Sequence, residues 1–216
     1  MKFENTQVFN FEGAIHGMRN PLDSWTKSDS DWSINKIGDA DLNLCQRLIS
    51  AGTEHCKFLR QIFVTVDITA PRFWWSEFDT YKVGTAANSC STMHKIGAYK
   101  FTIDMFDCDD SDARYINSLL PVLNMLREQY NSTKSNKDLI TLKRMLPESF
   151  LQKRTVTMNY AVLRAMIHQR QHHRLYHWST DFINWCKSLP YAEELLFFNN
   201  SLISNCKLSL TLTFIF

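Results

Sequence analysis

The densest cluster of residues that could take part in chemistry lies between Ser149 and Thr180. This window contains five cationic side chains, four histidines and no acidic residue. If the segment is helical, Arg170 and Arg174 lie one turn apart and His177 falls on the same face. Two guanidinium groups on one face can bind a phosphate or the ionised edge of a pyrimidine, because arginine offers paired donors in a fixed geometry. The alternative is a basic, solvated helix face.

Metal binding is not favoured anywhere in the chain. Two histidine pairs in this window have the i,i+4 spacing of metal ligands, but the neighbouring arginines would repel a cation. The acidic stretch over 104–112 lacks the glycine and the distal glutamate of a calcium-binding loop, so a solvated turn is preferred. The six cysteines are scattered and are interpreted as free thiols.

Two further groupings have simpler explanations than a special site. Ser91 is close in sequence to His94, but no partner acid or oxyanion motif accompanies them, so serine hydrolase chemistry is not favoured. Trp74 and Trp75 could stack on a flat ring. With phenylalanines on both sides, they are better explained as core residues.

The length and composition indicate one compact domain, or at most two small ones. The chain has 216 residues, 44% of them hydrophobic and 21% charged, which is too apolar for a disordered protein. A net charge of +2 predicts no general attraction to nucleic acid or to anionic membranes. Without the apolar stretch of a signal peptide or a membrane span, we expect a cytoplasmic protein. We predict a single domain over 1–203 and an apolar tail over 204–216.

Periodicity and capping residues predict a mixture of helices and strands. Leu42, Cys45 and Ile49 recur at helical spacing, which predicts a helix to about residue 51 that Asp39 or Asp41 caps and Gly52 ends. Alternating apolar and polar residues over 62–69 predict a strand. Further helices are predicted over 71–82, 111–128 (where Pro121 allows a kink), 137–145 and 159–188. Loops are predicted over 84–91 and 131–137, and loops with short strands over 1–38. Because strands and helices do not alternate regularly, the fold class is α+β.

Several motifs follow one another in the order and spacing of a known family. Residues 51–55 read Ala-Gly-Thr-Glu-His before the predicted strand, and 71–75 read Pro-Arg-Phe-Trp-Trp after it. In the second half, Asn159 and Arg170 are eleven positions apart, and Lys143 stands three residues before Leu146-Pro147. From about residue 41 to residue 189 this series resembles the flavin-dependent thymidylate synthases, also called thymidylate synthase complementing proteins.

The signature motif of that family is only partly kept. The family reads R-H-R-x-x-S-x-N-E-x-S-x-R, and this chain matches it at Lys82, Thr85, Asn88 and Ser91 if one residue is inserted after Thr85. Four signature positions carry different residues, namely Thr80, Tyr81, Ser89 and Met93.

The resemblance implies an α+β fold with a mixed or antiparallel sheet, packed helices and active sites shared between the subunits of a homotetramer. Enzymes of this family convert dUMP to dTMP with FAD, methylenetetrahydrofolate and NADPH. A closely related one-carbon modification of a deoxypyrimidine monophosphate is a variant of the same hypothesis. The replaced signature positions also allow a catalytically inactive nucleotide-binding protein that sequesters nucleotides or interacts with another protein.

Carried over by position, the resemblance assigns roles to nine residues. Arg170 would hold and polarise the pyrimidine, and Ser91 would lie beside it, so both are assigned to catalysis. The residues implied in substrate binding are Glu77, Ser91, Lys143, Arg144 and Arg170. Those implied along the flavin are His55, Lys82, Asn88 and Asn159.

Overall fold

The computed structural model describes residues 1–199. The strands are β1 (Lys2–Phe9), β2 (Phe63–Pro71), β3 (Ala86–Ser89) and β4 (Leu151–Asn159). The α-helices are α1 (Phe11–Arg19), α2 (Asp39–Ala51), α3 (Arg72–Phe78), α4 (Thr92–Lys95), α5 (Ala113–Thr133), α6 (Asn136–Met145), α7 (Tyr160–Arg170) and α8 (Ile183–Lys187). Two π-helical segments, His177–Phe182 and Ala192–Leu196, precede and follow α8. The predicted α+β class is confirmed.

The chain forms two compact units. The first unit contains residues 1–6 and 65–157, and the second contains residues 7–64 and those from 158 onward. The single domain over 1–203 stays a prediction, and the tail over 204–216 lies outside the described residues. Within residues 1–199, no helix has the length and apolar character needed to cross a membrane.

The strands form a sheet in the order β1-β2-β4-β3, and most of their residues belong to the first unit. The strand predicted over 62–69 is confirmed as β2, in which Val64, Val66 and Ile68 are buried and the residues between them are half-buried. β3 pairs antiparallel with β4. The loop predicted over 84–91 is therefore wrong at residues 86–89. There the backbone partners offered by β4 outweigh the weak strand propensity of Ala, Asn and Ser.

A polar network stabilises one part of the sheet. The Asp67 carboxylate accepts hydrogen bonds from the Thr155 hydroxyl at 2.6 Å and the Asn5 amide at 3.0 Å, and lies 3.2 Å from the Lys153 ammonium. Lys153 is also 3.2 Å from Glu4. Hydrogen bonds from Thr155 and Asn5, together with Lys153, lower the pKa of Asp67 from 3.8 to about 2.

This network predicts a defined acid dependence of stability. Because the pKa of Asp67 is lower in the folded chain, its contribution is complete above about pH 4 and is lost as the pH falls towards about 2. The variant Asp67→Asn lacks this contribution at every pH. The free energies of unfolding of the variant and of the wild type should therefore approach each other as the pH falls from about 4 to about 2. Urea unfolding at stepped pH measures the difference, with Asp110→Asn, an exposed aspartate, as the control. A difference in the free energy of unfolding between Asp67→Asn and wild type that stays constant down to about pH 2 would contradict the prediction.

The core of the first unit is built on α5 and α6. Leu123 of α5 and Leu142 of α6 are fully buried. Three phenylalanines, Phe101, Phe106 and Phe150, pack on one another with ring centroids 5.7 to 6.3 Å apart. The Asn124 side chain bonds both backbone groups of Phe101, at 2.9 and 3.0 Å, and so fixes this loop on α5.

The core of the second unit surrounds the first residue of α7. Tyr160 is fully buried, and its hydroxyl donates to the Pro190 carbonyl at 2.7 Å. The Phe11 ring meets Tyr160 and Tyr191 edge-on, at 5.7 and 5.5 Å between centroids. Further along α7, the Arg164 guanidinium donates to backbone carbonyls of the 195–198 segment at 2.7 to 3.3 Å. These contacts join α1, α7 and the segment that follows α8.

A buried ion pair organises the N-terminal part of the second unit. Arg19, at the end of α1, and Asp41, in the first turn of α2, are 5% and 0% exposed and lie 2.6 Å apart. The Ser28 and Ser30 hydroxyls each donate to the other Asp41 oxygen at 2.6 Å. Gly38 is required beside this network, because a Cβ there would come within 2.2 Å of the Asp29 carboxylate.

Several predicted element boundaries are corrected. The helix predicted over 71–82 ends at Phe78, because the Thr80 amide and hydroxyl both bond the Glu77 carbonyl and close a turn. The irregular N-terminal region contains the helix α1, whose two glycines weaken its helical pattern. The loop predicted over 131–137 is reduced to two residues, because Lys134 adopts a left-handed conformation and Ser135 caps α6. The helix predicted to run to about residue 51, and its end at Gly52, are confirmed. The cap predicted at Asp39 or Asp41 is wrong, because Gly38 is the N-cap and the Asp29 carboxylate accepts from the Ala40 and Asp41 amides.

Candidate functional site

A cavity of about 360 Å³ in the first unit contains one of the predicted catalytic residues. Ser91 lines it together with Cys90 and Thr92, all in the segment between β3 and α4. The opposite walls come from the 96–105 loop and the start of β4, and carry Tyr99, Phe101 and Phe150. Lys95 and Lys153 also line the cavity, and the Lys153 ammonium is paired with Glu4 and Asp67. An aromatic wall with an exposed lysine, Lys95, beside it suits a flat, negatively charged ligand.

Lys143 lies next to this cavity. It is in the last turn of α6, and its Nζ is 3.0 Å from the Met93 sulfur. The Met93 amide in turn donates to the Ser91 hydroxyl at 3.2 Å. Ser91, Met93 and Lys143 are therefore neighbours, although fifty residues separate Met93 from Lys143 in sequence. The Lys143 ammonium thus lies beside Met93, the position at which the family that this chain resembles has an arginine.

The other predicted residues of the first unit are distributed around the α3–β3 connection and α6. Glu77 is half-buried in α3, whereas Lys82 is exposed in the turn that follows. Asn88 is exposed on β3, opposite Thr155 of β4. Arg144 is exposed at the end of α6.

Sequence reasoning missed the role of Arg154 in this region. Its guanidinium lies 4.2 Å from the Trp75 ring centroid and 2.7 Å from the Asp79 carboxylate. Trp75 is itself fixed by a 2.9 Å hydrogen bond to the Gln152 carbonyl. Arg154 also stands opposite Ser89, a replaced signature position. The alternating pattern of β4 could have revealed this arrangement, but the basic window concealed the strand.

In the second unit, α7 carries two predicted site residues at its opposite ends. Asn159 is the N-cap, and its side-chain oxygen accepts from the Val162 amide at 3.0 Å. Arg170 is the last helical residue, half-buried, with its guanidinium 4.7 Å from the centroid of the buried Trp178 ring. The eleven-residue spacing is therefore the length of the helix.

The predicted pairing of Arg170 with Arg174 and His177 on one helix face is wrong. The helix predicted over 159–188 ends at Arg170, and the chain turns over 171–176. In the turn, the His173 ring accepts from the Leu175 amide at 3.2 Å, which replaces a bond to the helix backbone. Arg174 is exposed in this turn, so Arg170 is the arginine that the fold holds in place.

His55 lines a second cavity, of about 710 Å³, in the second unit. It follows α2 in a turn whose backbone bonds to the Gly52 carbonyl, and its side chain is exposed. Besides the buried Arg19, four exposed cationic residues that sequence reasoning did not select also line this cavity: Lys27, Arg47, Lys57 and Arg60. Their spacing in sequence gives no common motif, so only the folded chain brings them together.

The five cysteines within residues 1–199 are free thiols, as predicted. Burial, and secondarily the charge of Asp41, raises the pKa of Cys45 to about 12. Cys45 is therefore a neutral packing residue of α2.

Comparison with known proteins shows which of them share this fold. No model of a known protein family matches the sequence, and neither does any curated protein. Among solved structures, the flavin-dependent thymidylate synthase of Helicobacter pylori, complexed with FAD and dUMP, matches with a TM-score of 0.73 and 15% identity over 91% of this chain and 98% of that chain. This chain has the fold of a flavin-dependent thymidylate synthase.

A second structure of the same Helicobacter pylori protein with FAD and dUMP supports the assignment of the fold. It matches with a TM-score of 0.71 and 15% identity, over 91% of this chain and 97% of the other. The resemblance seen in the motifs is therefore confirmed for the fold. Because nearly all of both chains is covered, this protein contains the complete fold of that synthase, although few residues are shared.

Proposed function

We propose that the protein is an FAD-dependent enzyme that methylates dUMP to dTMP with methylenetetrahydrofolate and NADPH, or makes a closely related one-carbon change to a deoxypyrimidine monophosphate. The observation that carries the proposal is the cavity of the first unit, where Ser91 lies beside an aromatic wall and Lys143 lies next to it. The shared fold supports it, since the similar Helicobacter pylori protein was crystallised with FAD and dUMP.

Five residues would bind the substrate. Lys143, with Arg144 next to it, would meet the phosphate, and Ser91 would lie at the pyrimidine. Glu77 would contact the nucleotide as well. Arg170 would bind the pyrimidine edge and stabilise the negative charge that develops when the ring is activated. Its contact with Trp178 limits the rotamers of the long side chain and lowers the entropic cost of binding.

The flavin would be held by four polar side chains. His55, Lys82 and Asn88 are exposed donors, and donors of this kind suit the carbonyl and phosphate oxygens of a flavin nucleotide. Asn159 uses its oxygen to cap α7, which leaves its amide nitrogen as the group for the flavin. When bound, FAD would supply the redox chemistry and the one-carbon transfer, so the chain contributes position and charge rather than a nucleophile. We propose a cytoplasmic homotetramer with sites shared between subunits.

The replaced signature positions fit this proposal if cations reach the site from other elements. Met93 lacks the charge of the family's arginine, but the Lys143 ammonium is 3.0 Å from its sulfur. Thr80 and Ser89 are likewise neutral, and Arg154 stands opposite Ser89 and pairs with Asp79 beside Thr80. Because Arg154 is already paired with Asp79, the Lys143 ammonium would provide part of the positive charge that the motif has lost.

Lys143→Gln should weaken dUMP binding about tenfold, because it removes a charge-assisted hydrogen bond to phosphate. Isothermal titration calorimetry with dUMP measures the change. Lys137→Gln, which removes an exposed lysine at the opposite end of α6, should leave the affinity unchanged. Equal dUMP affinity of Lys143→Gln and wild type would remove Lys143 from the site. Tight dUMP binding without any turnover would instead favour the inactive nucleotide-binding protein.

A further inference from the structure

The second unit has a cleft of which the proposed reaction uses only His55. The cleft is the cavity of about 710 Å³ formed by the end of α1, the 21–27 segment, the middle of α2 and the 54–61 segment. Its inner surface is largely apolar and includes Met18, Leu44, Leu48 and Phe58. All of these residues belong to one compact unit.

Four cations surround the cleft without being neutralised. Lys27, Arg47, Lys57 and Arg60 are exposed, and within residues 1–199 none of them takes part in an ion pair or a side-chain hydrogen bond. Among the lining residues, Glu54 opposes them with one negative charge. Surface cations usually alternate with acids, so this concentration of positive charge indicates an anionic ligand.

Contacts on two sides of the cleft, one of them the buried Arg19–Asp41 pair, fix its walls. Arg19 forms one wall and is fixed by its 2.6 Å pair with Asp41 and by a 3.2 Å bond to the Ser24 carbonyl. On the other wall, the Gln61 carbonyl accepts from the Asn10 amide at 3.0 Å. A ligand would therefore find a preformed surface and would have little ordering to impose.

The distribution of charge favours an extended ligand over a compact one. The four cations come from three separate elements: the 25–27 turn, α2, and the 57–60 turn. The end of α1 that lines the cleft is its C-terminal end, whose carbonyls disfavour a single concentrated anion such as phosphate. A chain that carries several separate carboxylates can reach the cations one by one.

We infer that this cleft binds a polycarboxylate chain, such as the glutamate tail of a pterin co-substrate or an acidic peptide. The first of these sources rests on the proposed function, because methylenetetrahydrofolate is the co-substrate in that reaction. His55, which also lines the cleft, would then lie where the tail leads towards the flavin.

Fluorescence anisotropy with labelled γ-linked pentaglutamate tests this inference on the full chain. Wild type should bind the probe, and raising the salt to about 0.15 M should weaken binding. The double variant Arg47→Gln/Arg60→Gln should bind about tenfold more weakly, since it removes two exposed charge pairs. The matched control Lys36→Gln/Arg174→Gln removes the same net charge from exposed positions of the same unit outside the cleft, and should bind as wild type does.

Competition experiments separate the ligand classes. Equal displacement by α-linked and γ-linked pentaglutamate would indicate an acidic peptide site, and preference for the γ-linked form would indicate the co-substrate tail. Displacement of the labelled probe by inorganic pyrophosphate at the concentration at which pentaglutamate displaces it would overturn the inference. An equal loss of probe affinity in the cleft variant and in the control would overturn it as well. Binding of the probe needs neither FAD nor dUMP. Absence of probe binding would therefore leave the proposed reaction untouched, and absence of turnover would leave the measured probe affinity untouched.

Discussion

Replacing Asp41 with alanine should lower the free energy of unfolding by about 3–5 kcal/mol. Asp41 is fully buried and is the acceptor for the buried guanidinium of Arg19. Removing it leaves a positive charge inside the second unit without a partner, which costs far more than the net value of the pair. The hydroxyls of Ser28 and Ser30 lose their acceptor at the same time.

Two comparison variants make the Asp41 measurement specific. Asp39→Ala changes an exposed acid in the same helical turn and should cost less than about 1 kcal/mol in urea unfolding. Arg19→Met/Asp41→Leu removes both charges together and should be more stable than Asp41→Ala, because no unpaired charge remains. A loss in Asp41→Ala no larger than that in Asp39→Ala would mean that the pair does not organise this unit.

The second large effect is expected at Arg170. Arg170→Ala should reduce dUMP-dependent flavin oxidation by about 10²–10³-fold, the usual effect of removing a donor that stabilises developing negative charge. The fold should remain intact, since the side chain is only half-buried at the end of α7 and Trp178 is held by the surrounding core. Single-turnover absorbance measurements with the reduced flavin follow the reaction directly.

Arg174→Ala is the matched control for Arg170. Both arginines belong to the basic window, but Arg174 is exposed in the turn after α7, so its variant should react at the wild-type rate. Arg170→Lys keeps the charge and loses the paired donors, and should recover only part of the activity. Unchanged turnover in Arg170→Ala would remove this residue from the site.

The sequence predicted best the elements whose signals are local. The strand β2 has strict alternation over 62–69, and α2 has a regular apolar face and a glycine directly after its last residue. Both were confirmed almost to the residue. The strand β3 was missed because Ala86, Asn88 and Ser89 have little strand propensity, and only pairing with β4, some seventy residues later, orders them.

The site was predictable only in part, because its geometry depends on contacts between distant segments. The motif spacing selected Ser91 and Lys143 separately, but nothing in the sequence indicates that Lys143 reaches Met93. Within the basic window, Arg170, Arg174 and His177 were predicted on one helix face, but the helix ends at Arg170. The strand that holds Lys153 and Arg154, where both pair with acids, was not predicted. The cations of the cleft carry no sequence signal, since Lys27, Arg47, Lys57 and Arg60 belong to separate elements.

The most direct test of the central claim is the visible absorption spectrum of the purified protein, recorded with and without added FAD and dUMP. The proposed function predicts a flavin spectrum that stays with the protein on gel filtration and that NADPH bleaches, faster when dUMP is present. Protein that retains no flavin under any of these conditions would contradict it. The fold would then serve nucleotide binding without catalysis.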